Sequence, residues 1–170
     1  MPLGRSGKRA RMPDDPDPLA LTVVVPIRHG VAHADLARHL GGLRRWADQV
    51  VLVDGSDEAV HEAYARLLDP SIEHVVVDEE RRGMLNGKVA GVLTGMGRAR
   101  HAHVVIADDD VRHTRSTLAR LSRLLDDADV VRPQNHFVAG SDGLPWHARW
   151  DPGARWSTGR SAPTGPARSA

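Results

Sequence analysis

The chain contains no cysteine, which excludes disulfides and thiolate metal sites and leaves the redox compartment open. Its aromatic side chains are Trp46, Trp146, Trp150, Trp156, Tyr64 and Phe137 alone, too few for the stacking platforms that hold single-stranded nucleic acid. A formal net charge of +1 over 170 residues gives no bulk attraction to a polyanion, so no nucleic-acid partner is expected. Lysine is almost missing, Lys8 and Lys88 being the only two. No apolar run is long enough to make a transmembrane segment, and no signal peptide is recognisable. The expectation is a cytoplasmic protein. The basic stretch Arg5 to Arg11 leaves peripheral membrane contact open.

What is present is an ordinary globular composition, 41% hydrophobic, in a length that suits one domain with its own core. Residues 1–20 carry glycine, arginine and four prolines and read as a disordered arm. From Leu21 the pattern becomes regular. Leu21 to Val25 reads as a strand closed by Pro26. Leu36, Leu40 and Leu43 predict a helix over His33 to Ala47. Val50 to Val53 predicts a second strand. Val60, Ala63, Tyr64, Leu67 and Leu68 mark a second helix that Pro70 ends. Ile72 to Val77 predicts a third strand, and Leu85, Val89, Val92, Leu93 and Met96 mark one face of a third helix. Val104 to Ala107 reads as a fourth strand, Leu118 to Leu125 as a helix, and Ala128 to Arg132 as a short strand. Apolar strands alternating with amphipathic helices predict an α/β fold, a mostly parallel Rossmann-like sheet flanked by helices. Right-handed crossovers then place every carboxyl end on one rim.

Three aspartates, Asp108-Asp109-Asp110, follow the fourth strand directly. Adjacent carboxylates repel unless a cation relieves them, and the carboxyl end of a strand is where α/β sheets bind ligands. Carboxylate oxygens suit Mg²⁺ or Mn²⁺, ions often shared with substrate phosphates. Asp54-Gly55-Ser56 closes the second strand. Asp54 there is either an acceptor for a nucleoside or an Asx turn capping the next helix. Arg81-Arg82-Gly83 and Asn86-Gly87-Lys88 approach a helix N-terminus, a setting that favours phosphate, though the spacing is not that of a Walker loop. Arg28-His29-Gly30 also matches the tripeptide after the first strand of histidine phosphatases, but no second catalytic histidine motif accompanies it.

The order of these pieces resembles the nucleotide-sugar half of family-two glycosyltransferases of GT-A fold. Val24-Val25-Pro26, Asp54-Gly55-Ser56, Gly87-Lys88 and Asp108-Asp109-Asp110 match four of that family's motifs in the right order, over residues 21–137. The resemblance implies a nucleotide-sugar donor bound by Pro26, Arg28, Asp54, Gly55, Lys88 and Asp108, and a divalent metal, Mn²⁺ or Mg²⁺, held by Asp108 and Asp110. It implies transfer of the sugar to the hydroxyl of an unknown acceptor. No catalytic base is assignable, because no acidic residue follows Asp151. Residues 138–150 look like the start of the acceptor-side region. Residues 151–170, rich in Gly, Pro, Ser, Ala and Arg, read as a disordered tail. The expectation is a sheet incomplete at its C-terminus, truncated or frame-shifted after about residue 150. The rival readings are a non-catalytic nucleotide-binding fragment and a nucleotidyltransferase.

Overall fold

The computed structural model describes residues 17–133 and 157–159. Residues 1–16 of the expected arm 1–20, the acceptor-side region 138–150 and most of the tail 151–170 lie outside the described residues, while Leu19 and Ala20 of that arm already belong to the first strand. The chain divides into two compact units, residues 1–122 and 123–170.

The first unit holds a four-stranded, all-parallel sheet, in the order β3-β2-β1-β4. Its strands are β1 (Leu19–Ile27), β2 (Ala47–Asp54), β3 (Glu73–Val76) and β4 (Val104–Ile106). Helices α1 (Ala34–Leu43), α2 (Glu58–Leu67) and α3 (Gly87–Arg98) make the crossovers, and α4 (Arg115–Leu125) follows β4. This is the expected Rossmann-like architecture. In the second unit, β5 (Val130–Arg132) pairs antiparallel with β6 (Ser157–Gly159) in a sheet of its own. The short strand expected at 128–132 therefore lies outside the parallel sheet. Ser157–Gly159, within the stretch expected to be unstructured, is its partner.

Helices α2, α3 and α4 start where side chains cap them, whereas α1 has no side-chain cap. Asp57 Oδ1 accepts from Val60 N at 3.0 Å to open α2, and Thr114 Oγ1 accepts from Thr117 N at 3.2 Å to open α4. Helix α1 ends at Leu43, not Ala47, because Ala47 already pairs with Leu19 in the sheet. Strand β1 runs through Pro26 to Ile27. Thr22 N donates to His103 O and Val24 O accepts from Ala107 N, so alternate residues of β1 face β4. Pro26 continues that set at a level where β4 has ended, so its missing N–H removes no ladder bond.

Strand alternation puts Val24, Pro26, Val51, Val53 and Val75 on one face of the sheet, and α3 lies there. The helix does not bury the face that its large residues mark. Its buried positions are Ala90, Gly91, Thr94 and Gly95, whereas Leu85, Val89, Leu93 and Met96 are exposed. A Cβ on Gly91 would stand 2.9 Å from Pro26 Cβ, and one on Gly95 would collide with Val24 Cγ1. The small residues let the helix backbone approach the valine surface closely. Gln49 fixes the helix exit: its Oε1 accepts from Thr22 Oγ1 (2.7 Å) and Arg100 N (2.8 Å). Its Nε2 donates to Glu73 and to Arg98 O, both at 2.8 Å. The opposite face buries Leu21, Val23, Val25, Val50 and Leu52, and Val60 and Tyr64 of α2 are buried with them.

Candidate functional site

The strand order reverses between β1 and β4, and ligands of open α/β sheets bind outside the carboxyl ends at such a switch point. A cavity of about 1120 Å³ opens on that rim. Pro26, Arg28, Asp54, Gly55 and Lys88 all line it, together with Asp109 and Arg82. Five of the residues expected from sequence thus converge on one cavity. Asp108 adjoins it through an ion pair, Asp108 Oδ1 lying 2.5 Å from Lys88 Nζ.

Two of the three aspartates turn to separate partners. Asp108 meets Lys88. Asp109 Oδ2 lies 3.0 Å from His29 Nε2, a contact that crosses the switch point from β4 to β1. Asp110 is exposed. Lys88 beside Asp108 and the turn of Asp109 toward His29 both ease the aspartates' mutual repulsion.

Asp54 is buried although ionisable. Its Oδ1 accepts from Ser56 N at 2.9 Å, which is the Asx turn, while the helix cap falls to Asp57. Its Oδ2 meets His74 Nε2 at 3.1 Å and His61 Nδ1 at 3.4 Å. Burial opposes ionisation of Asp54, yet the hydrogen bonds from His74 and Ser56 outweigh it and carry the carboxyl down to about 2. Gly55 is pressed against the end of β1, its N–H donating to Ile27 O at 2.9 Å, and a Cβ there would sit 3.3 Å from the same oxygen.

The start of α3 differs from the expected phosphate cradle. Asn86 Oδ1 accepts from Lys88 N (3.1 Å) and Val89 N (3.2 Å), so the cap occupies two of the amides that an anion would use. Cationic side chains, not helix amides, are what the cavity offers there. Arg81 is held by Asp78 and Glu80. Arg82 pairs with Glu79 at 2.6 Å while still lining the cavity.

Sequence reading noted His29 only within the tripeptide Arg28-His29-Gly30 and missed its partners, along with His33, His61 and His74. His33 N donates to Tyr64 Oη at 3.1 Å, and Tyr64 Oη lies 2.6 Å from His29 Nδ1. Burial pushes the Tyr64 hydroxyl up, and the Asp54 and Asp109 carboxylates act the same way against the His33 amide, so Tyr64 keeps its proton. The two ring nitrogens of His29 thus link the Tyr64 hydroxyl at Nδ1 to Asp109 Oδ2 at Nε2. The relay holds the middle aspartate in place. The one signal in the sequence is the position of His29 directly after β1. His101 and His103, at the opposite rim, bond Asp48 and Ser122 and take no part.

Among the described residues no helix is long and apolar enough to cross a membrane. Residues 52–144, more than half of the chain, match glycosyl transferase family 21. No curated protein and no solved structure matches. The match supports the glycosyltransferase reading, and it names family 21 where the motif order resembles family two. Because it covers more than half of the chain, from within β2 to beyond β4, and takes in Asp54, Lys88 and the three aspartates, this chain is a member of glycosyl transferase family 21.

Proposed function

We propose that the rim cavity binds the nucleotide-diphosphate sugar of a glycosyl transfer, in the manner of the GT-A enzymes of family two. Glycosyl transfer is the chemistry of the family to which the chain belongs. The observation that carries the finer reading is the convergence of Pro26, Arg28, Asp54, Gly55 and Lys88 on one cavity at the switch point. Pro26, Arg28, Asp54 and Gly55 make the nucleoside end. Lys88 and Asp108 make the diphosphate end.

The donor set at the second end fits a hard divalent ion. Asp108 and Asp110 offer carboxylate oxygens two residues apart, and the exposed Asp110 leaves room for water and phosphate oxygens in the shell. They would hold Mn²⁺ or Mg²⁺, which supplies charge neutralisation of the leaving diphosphate. Lys88 adds a second positive charge beside Asp108. The His29–Asp109 bond keeps the carboxylate between the two ligands turned toward β1. The sugar acceptor is a hydroxyl compound, and its activating base is not assigned to any described residue.

The test is a titration of uridine, guanosine, thymidine and adenosine diphosphates into the full chain with Mn²⁺. One member binds, and Arg28→Ala weakens it. Absence of binding by all four removes the donor assignment.

A further inference from the structure

Asp54, His61 and His74 each bring one ligand atom to the same point, all three within 4.8 Å of one another. Asp54 closes β2, His74 lies beside it in β3, and His61 stands in the first turns of α2. The carboxylate is fully shielded, and the two rings are 28% and 10% exposed. The rings stack with centroids 3.9 Å apart.

Hydrogen bonding accounts for the His74–Asp54 contact but not for the placement of His61. His61 Nδ1 is buried and makes no hydrogen bond, although Asp54 Oδ2 is only 3.4 Å away. A buried nitrogen left so is unfavourable. Ligands of one tetrahedral ion, bonded at 2.0–2.1 Å, stand about 3.3 Å apart. The two separations from Oδ2, 3.1 and 3.4 Å, bracket that edge, and the third, between the two ring nitrogens, is within 4.8 Å, so an ion would draw the rings together. The other oxygen of Asp54 is held by Ser56 N, the kind of outer contact that orients a metal-binding carboxylate.

Two imidazoles with one carboxylate form a borderline donor set, suited to zinc and its neighbours and poorly to Mg²⁺. We propose that Asp54, His61 and His74 bind a zinc-class divalent ion. Three ligands come from the protein, and a fourth position faces the cavity that Asp54 and His61 line. The site is separate from Asp108 and Asp110 and goes beyond the donor reading. An ion there takes the oxygen that the nucleoside would use, so the two compete for Asp54.

The test is a titration of the full, metal-free chain with Co²⁺, with no nucleotide present, so that its result is independent of donor binding. One Co²⁺ per chain should give the intense visible bands of tetrahedral coordination, and one equivalent of Zn²⁺ should bleach them. His61→Ala and His74→Ala should each weaken Co²⁺ by more than the roughly 10–100-fold typical of losing an outer-shell partner. Asp110→Ala should keep the bands. His61 is partly exposed on a helix, so its alanine variant is expected to fold, and circular dichroism checks this. The proposal is overturned if the folded wild-type chain gives no tetrahedral bands. It is also overturned if His61→Ala, folded, keeps full affinity, or if Asp110→Ala removes the bands.

Discussion

Replacing Gly95 by alanine tests the placement of α3 most sharply, because helix propensity and packing predict opposite signs. In an exposed helix interior, Gly→Ala stabilises by about 1 kcal/mol. At Gly95 the new methyl would collide with Val24 Cγ1 and stand 3.1 Å from Val53 Cγ2. Both valines are fully buried and stiff at χ1, so neither can swing away. Overpacking of this kind costs about 1–3 kcal/mol, and a direct collision belongs at or above the upper end. The net expectation is a loss of about 2 kcal/mol, read as a lower urea midpoint by far-UV circular dichroism with unchanged slope. Val24→Ala in the same chain should relieve the collision, making the double variant less unstable than the sum by about 0.5–3 kcal/mol. Leu93→Ala is the control. Leu93 is 40% exposed, so its cost should fall well below the roughly 2–5 kcal/mol of a core leucine. A stabilising Gly95→Ala, with a core-sized loss at Leu93, would refute the packing and return the helix to the face its large residues mark.

Three further outcomes follow from the site and its surroundings. Burial, then the charges of Arg112 and His113, lowers His39 to about 4, so protonating it favours the unfolded chain. The stability His39 contributes is complete above its ordinary 6.5 and is lost as pH falls from there through 4, about 3 kcal/mol in all. His39→Gln should flatten that stretch of a urea-midpoint profile, and an unchanged slope would contradict the assignment. Lys88→Met should weaken a nucleoside diphosphate by about 1.5–3 kcal/mol while leaving the free nucleoside unaffected; equal losses for both ligands would place Lys88 elsewhere. Asp54→Asn should weaken the nucleoside and spare pyrophosphate, and with its carboxyl near 2 the wild-type affinity should show no Asp54-dependent step between pH 5 and 8.

The parallel sheet was legible because β-branched runs such as Val23-Val24-Val25 and Val50-Val51-Leu52-Val53 are buried on both faces and carry an uninterrupted apolar signal. The rim positions of Asp54 and Asp108 followed from where those runs stop. The packed face of α3 was not legible. Gly91, Gly95, Ala90 and Thr94 bury themselves through close approach, which leaves no hydrophobic signal, while Leu93 and Met96 carry the signal and face outward. Pro26 was read as a strand end, since which side of β1 lacks a partner depends on how far β4 extends. The histidine contacts were hidden for a related reason. His29 meets Asp109 across 80 residues and His74 meets Asp54 across 20, and no local pattern encodes either pairing.

The central claim is that a divalent ion at Asp108 and Asp110 joins a nucleotide diphosphate to the rim cavity. The most direct measurement is calorimetric titration of the nucleoside diphosphate that binds, with and without Mn²⁺, into the wild-type chain and Asp110→Ala. Tighter binding with Mn²⁺ in the wild type, and no such gain in the variant, is the predicted result. An affinity indifferent to Mn²⁺, or a gain of equal size in Asp110→Ala, would contradict it.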